Sequence, residues 1–166
     1  MTESELYALL REQHIDYKRY DHPAVYTCEQ AKYAIPDTSA AHTKNLFLRD
    51  KKGRRHWLLV TLCEKAVDLR QVAAKIGADK LSLGSPERLA THLSVTPGAV
   101  TLLAVVNDPT KAVEVVVDED VWQADTIRAH PLVNTATLVI AQAGLRRLLA
   151  HTGHVARVIP LVSRPG

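Results

Sequence analysis

Lys44-Asn45-Leu46-Phe47-Leu48-Arg49-Asp50, followed by a basic turn and then Trp57-Leu58-Leu59-Val60, is the stretch on which the fold turns. Leu46 and Leu48 alternate with Asn45, Phe47 and Arg49, which predicts a strand with one apolar face. Asp50-Lys51-Lys52-Gly53 carries turn chemistry, and Gly53 is free to take positive φ. A second apolar run, Trp57 to Leu62, then returns, so the whole stretch reads as a β-hairpin. Lys44 and Asn45 stand at the mouth of its first strand. A lysine there fits two readings: a charge that keeps a sheet edge from pairing with other chains, or a cation within reach of a ligand. Asn45 adds an amide that both donates and accepts.

Outward from the hairpin, caps and periodicity set the remaining elements. Thr2 or Ser4 opens a first helix striped by Leu6, Leu9 and Leu10. Ile15 to Tyr20 reads as a short strand. Thr27-Cys28-Glu29-Gln30 fits a capping box for a second helix that stops before Pro36. Asp68 opens a third, apolar at Leu69, Val72, Ala73 and Ile76 and closed by Gly77, and Ser85-Pro86 opens a fourth. Leu102 to Val106 reads as a buried strand, with Ala112 to Val117 as its hairpin neighbour across Asn107-Asp108-Pro109. Leu132-Val133 and Thr137 to Ile140 predict more strand. Ala141 to Ala150 predicts a helix ended near Gly153, and Val155 to Ile159 a last strand before Pro160. Irregular interleaving with tight turns argues for an α/β (α+β) chain built on a mixed sheet rather than a doubly wound parallel one.

The 166 residues, 46% apolar and 23% charged, suit one globular domain spanning 1–166 with an aliphatic core. A net charge of +3 is compatible with touching one end of an RNA and too small to argue for it. No stretch resembles a signal peptide or a membrane span, so no membrane partner is expected. Cys28 and Cys63 form no C-x-x-C and have no partner at zinc spacing, which suggests free, buried thiols in a reducing cytoplasm and no metal. His151-Thr152-Gly153-His154 reads as a helix end. There is no G-x-S-x-G, Walker A or G-x-G-x-x-G motif.

Several linked segments, in order, carry a resemblance. The hairpin Lys44 to Val60 resembles the signature of the YbaK/ProX superfamily, closest to its branch of free-standing prolyl-tRNA editing proteins acting on Ala-tRNA(Pro). Tyr17-Lys18-Arg19-Tyr20-Asp21-His22-Pro23-Ala24-Val25-Tyr26-Thr27 resembles the family's amino-terminal strand and loop. Val105-Val106-Asn107-Asp108 resembles its central strand end, and His130-Pro131-Leu132-Val133-Asn134-Thr135-Ala136-Thr137 its carboxy-terminal signature. The fold this implies is a mixed, mostly antiparallel, partly barrel-like sheet with flanking helices.

The resemblance implies hydrolysis of an aminoacyl ester on a tRNA 3′ end, without a cofactor, a metal or a protein nucleophile. Lys44 would stabilise the ester carbonyl or a nearby phosphate, with Asn45 and His130 placing water and ribose. Tyr26, Thr27, Gly98, Thr101, Asn107, Asp108, Asn134 and Thr137 would line the substrate site. Asn134 also fits a plain turn, and His130 a strand entrance without a duty. The family's Gly-x-x-x-Pro pocket loop matches at Gly98 but meets Leu102 where its proline would stand; alanine stays the expected amino acid, with Ser, Cys or Thr as the alternatives. Arg49, Lys51, Lys52, Arg54 and Arg55 form either a solvated turn or an acceptor-stem contact. The expected partners are a mischarged tRNA and prolyl-tRNA synthetase, with no DNA. A non-catalytic module that binds tRNA ends is the alternative.

Overall fold

The computed structural model describes residues 1–36 and 39–165. Helix α1 (Glu3–Glu12) starts at Thr2, whose hydroxyl accepts from the Glu5 amide while the Glu5 carboxylate reaches back to the Thr2 amide. Strand β1 (Tyr17–Asp21) follows, then the short α2 (Cys28–Lys32). Thr27 caps α2 by accepting from the Gln30 amide, but the Gln30 side chain accepts from Tyr26 rather than from Thr27, so the expected box closes one residue early. The hairpin is β2 (Thr43–Arg49) and β3 (His56–Leu62), registered with Lys44 opposite Thr61 and Arg49 opposite His56.

Next come α3 (Leu69–Ile76), capped by Asp68 and ended by Gly77 at φ 68°, β4 (Ser82–Leu83), and α4 (Pro86–Leu93), capped by Ser85. Two 3-10 segments, Pro97–Ala99 and Leu102–Asn107, lead to β5 (Val113–Asp118) and α5 (Glu119–Trp122). Then β6 (Thr126–Ala129) and β7 (Ala136–Ala141) precede α6 (Gln142–Thr152), which ends on Gly153 at φ 80°, and β8 (Arg157–Ile159).

The strands form a five-stranded sheet ordered β4-β2-β3-β5-β8 and a three-stranded sheet ordered β1-β7-β6. The β3–β5 and β5–β8 pairs are parallel and the other four antiparallel, so the sheets are mixed and mostly antiparallel as expected. Ala41 bridges to Ile127 just before β2, and its amide and carbonyl pair with Thr126 and Arg128. That bridge joins the sheets, which stay open rather than closing into a barrel. Because β3 and β5 lie at the sheet's centre, both faces are covered: Phe47, Leu58, Val60 and Val115 enter one core cluster, and Leu48, Trp57, Leu59 and Val116 the other.

This corrects the one-faced reading of the hairpin, since Phe47 is buried opposite Leu48. Four further expectations are corrected. Leu102 to Val106 is 3-10 helix, because Thr101 accepts from the Leu103 amide and turns the chain there. The strand after it, β5, pairs parallel with β3 instead of forming a hairpin. Leu132-Val133 lies in the loop between β6 and β7, with Leu132 at φ 70°. Cys28 and Cys63 are joined as a disulfide, Cα–Cα 5.8 Å, so the free-thiol reading falls. No helix of the described residues is long and apolar enough to cross a membrane.

Candidate active site

A cleft of about 130 Å³ opens where β2 begins, between α2, the Pro97–Ala99 turn and the end of β6. Tyr26, Thr27, Lys44, Asn45, Gly98 and His130 line it, with the Cys28–Cys63 link at its edge. A smaller hollow beside it is shared by Asn45, His130 and Thr137 together with His42 and Arg128. Tyr26 and Thr137, 111 positions apart, are thus brought with the others to one end of the hairpin.

Strand alternation sends Lys44 to the face of Leu46 and Leu48, and Asn45 to the face of Phe47. The two therefore approach the cleft from opposite sides of β2. The Lys44 ammonium donates to the Lys65 carbonyl, and burial lowers its pKa. One of its three protons is committed there, which leaves donors for a substrate oxygen. Lys65 is itself fixed by Asp118 at 2.8 Å, Asp120 at 2.7 Å and the Leu161 carbonyl. Asp118, fully buried, also accepts from Thr61 at 2.6 Å. Asn45 Oδ1 is buried with no hydrogen-bond partner. An orphaned acceptor at a cleft wall calls for a donor from water or substrate.

His130 Nδ1 lies 3.0 Å from the Ala136 carbonyl. A carbonyl only accepts, so Nδ1 carries the hydrogen and the neutral ring presents Nε2 as a lone pair. Burial pushes the His130 pKa below its ordinary value, which favours that neutral form. The loop that follows is pinned at three points: Asn134 Nδ2 donates to the Val25 carbonyl at 2.9 Å, and the Val25 and His22 amides donate to Asn134 and Thr135. Gly98 completes the wall. A Cβ there would stand 3.0 Å from Asn134 Nδ2 and 3.1 Å from the Tyr26 ring. Only glycine lets that turn sit so close without displacing its neighbours.

The other expected site residues lie outside the cleft lining. Thr101 is fully buried and caps the 3-10 turn. Asn107 holds the Met1 ammonium at 2.7 Å and the Leu93 carbonyl. Asp108 accepts from the Ala112 and Val113 amides and stands 2.9 Å from His154. Arg49, Lys51, Lys52, Arg54 and Arg55 are at the far end of the hairpin, roughly 17 Å from Lys44 at the usual strand rise. Arg55 makes a two-pronged pair with Glu114 and lies over Trp57, while Lys51, Lys52 and Arg54 are exposed.

Sequence reasoning missed His22, His42 and Arg128. His22 receives the Thr137 hydroxyl at 2.8 Å and sets its ring edge toward His130 at 6.4 Å. The available signal was a repeated His-Pro pair, His22-Pro23 and His130-Pro131. His42 and Arg128 left no signal, because the Ala41 bridge that joins them is non-local. Among the described residues no three His, Cys, Asp or Glu side chains converge to hold a metal ion.

A fixed cation, an imidazole and an amide thus surround one small cleft. The model of the aminoacyl-tRNA editing domain matches residues 22–148. The chain is 38% identical over 154 residues to the prolyl-tRNA editing protein ProX of Acetoanaerobium sticklandii, covering 93% of this chain and 94% of that one. It is 33% identical to prolyl-tRNA synthetase associated domain-containing protein 1 of Danio rerio, covering 93% and 85%. Its fold matches a crystal structure of a candidate trans-editing enzyme for prolyl-tRNA synthetase, with a TM-score of 0.66, 19% identity and coverage of 98% and 99%. The chain belongs to the aminoacyl-tRNA editing domain family, and its activity is that of a hydrolase, an aminoacyl-tRNA deacylase.

Proposed function

We propose that the protein is a trans-editing deacylase of mischarged tRNA(Pro) that removes alanine, and that residues 1–166 act as one editing domain. The observation that carries this reading is the convergence of Lys44, Asn45, Gly98 and His130 on one small cleft inside the family-matched segment. Water donates a hydrogen bond to His130 Nε2 and attacks the ester carbonyl. The proton passes to the imidazole, and the oxyanion forms against the Lys44 ammonium. The imidazolium returns the proton to the ribose oxygen as the C–O bond breaks, freeing alanine and intact tRNA. Asn45 Oδ1 accepts from a ribose hydroxyl or from the water.

Gly98 supports a small side chain: Tyr26 and Asn134 stand 3.0–3.1 Å from where its Cβ would be, so backbone comes close to the cleft there. Leu102 is 1% exposed in the core, so the missing proline of the pocket loop changes no lining atom. Serine, cysteine and threonine are the competing substrates, since one or two extra atoms change binding by only a few kcal/mol, about 1–3 for a methylene. The exposed cations at the hairpin tip, Lys51, Lys52 and Arg54, would meet acceptor-stem phosphates, and prolyl-tRNA synthetase is the expected partner in delivery. A tRNA substrate makes the cytoplasm the place of work, an argument independent of the cysteines.

The test is release of label from Ala-, Ser-, Cys-, Thr- and Pro-tRNA(Pro) and from Ala-tRNA(Ala). Preferential loss of Ala-tRNA(Pro) is expected. Preference for another ester would move the substrate and keep the enzyme class, and equal loss of Ala-tRNA(Ala) would remove tRNA(Pro) as the target.

A further inference from the structure

A second cavity of about 650 Å³ lies across the Cys28–Cys63 link from the cleft. Its wall carries Lys32, Tyr33 and His42, with Glu29 and Glu64 also on it. None of these has a place in the ester chemistry. Tyr33 is 76% exposed at the end of α2, and Lys32 Nζ stands over its ring, 5.6 Å from the centroid.

His42 also lines the hollow shared with Asn45 and His130, where Arg128 lies. His42 Nε2 and Arg128 Nε and Nη1 are all buried without hydrogen-bond partners. Guanidinium nitrogens donate only, and among the described residues Arg128 has no ion-pair partner to accept from them. Burial, then Arg128 and Lys32, depress the His42 pKa, which places all three groups in one positive field.

A stacking ring, an exposed lysine and orphaned guanidinium donors beside an ester site match the chemistry of one nucleotide unit: a base face and a phosphodiester. We propose that this cavity holds the nucleotide next to the one bearing the ester, with its base on Tyr33 and its phosphate at the His42 wall, against Lys32 in the cavity and Arg128 in the adjoining hollow that His42 also lines. The inference rests on the deacylase reading and adds a nucleotide subsite to it. Arg128 and Tyr33 are positioning residues: they fix where the ester falls in the cleft.

The probe is a 5′-fluorescein CCA trinucleotide, with its last linkage either a phosphodiester or an uncharged methylphosphonate, titrated by anisotropy. Wild type is expected to bind the phosphodiester roughly tenfold more tightly, in a salt-sensitive manner. Arg128→Gln should bind both alike, and Arg128→Lys should recover part of the difference. Tyr33→Ala should weaken both about tenfold, with recovery in Tyr33→Phe. Lys32→Gln, on the exposed helix end, gives the same reading if Arg128→Gln does not fold. In deacylation, Arg128→Gln should raise KM and, by loosening where the ester falls, lower kcat as well. Wild type that fails to bind the trinucleotide, or Arg128→Gln and Lys32→Gln that still discriminate the linkages as wild type does, would overturn the subsite. Linkage-sensitive binding by a protein that hydrolyses no ester would instead sink the deacylase reading and leave the subsite standing.

Discussion

Leu102 stands where the resembling proteins carry a proline, yet its side chain is in the core and its place is the first position of a 3-10 turn capped by Thr101. A first-turn position needs no amide partner, so leucine and proline serve it alike. Leu102→Ala should therefore cost stability, about 2–5 kcal/mol in urea unfolding, and leave the Ala/Ser selectivity ratio unchanged. A changed ratio at unchanged stability would put Leu102 back in the pocket. His130 gives a pH prediction. Its pKa is lowered by burial, and the reaction uses the neutral ring, so kcat/KM should hold level below pH 7 and fall only beneath the ordinary histidine value of about 6.5. An acid limb centred above pH 7 would contradict this role. At this scale Lys44, Asn45 and Gly98, singled out by residue type and motif, line the cleft. Thr101, Asn107 and Asp108, expected to line the substrate site, lie outside it, because their polar groups serve caps and turns that only the folded backbone defines.

The hairpin is held to α4 through histidine. Arg88 donates to the Gly53 carbonyl and to His56 Nε2, each at 3.0 Å. His56 stacks on Phe47 at 5.5 Å and meets His92 at 4.2 Å. As an acceptor it must stay neutral, and burial, then His92 and Arg88, pull its pKa down to about 4. The unfolded chain takes up that proton near pH 6.5. Between those values the unfolded state binds more protons, so stability falls as pH drops from about 6.5 to 4, by on the order of 1–3 kcal/mol. Calorimetry across that window checks it, with His56→Gln flattening the slope; a wild-type Tm independent of pH would refute it.

Elements with local signals were legible: the caps at Thr2, Thr27, Asp68 and Ser85 and the stops at Gly77 and Gly153 all stand where spacing put them. The apolar run Leu102 to Val106 was not, because a fully buried run has no polar face to mark its period. The four-residue β6 was too short to show, and the parallel pairing of β5 depends on partners far away in sequence.

At the scale of the molecule, the two sheets meet at the Ala41 bridge, and the cleft, the hollow and the larger cavity surround that junction. The Cys28–Cys63 bond straps α2 to the end of β3 across the same place. It closes a loop spanning a separation of 35 residues, so chain entropy alone gives about 4 kcal/mol of stabilisation. Reductant, or Cys28→Ser, should lower Tm by several degrees; an unchanged Tm would mean that the strap carries no stability.

Everything in the catalytic account passes through the Lys44 ammonium. Single-turnover hydrolysis of Ala-tRNA(Pro) by wild type, Lys44→Ala and Lys44→Arg, with Tm followed in parallel, tests it most directly. Removing the fixed charge should slow hydrolysis by about 10²–10³-fold at unchanged Tm, as for other oxyanion donors. Lys44→Arg should fall in between. Hydrolysis by a folded Lys44→Ala within a few-fold of wild type would contradict the account and leave Lys44 as a charge guarding a sheet edge.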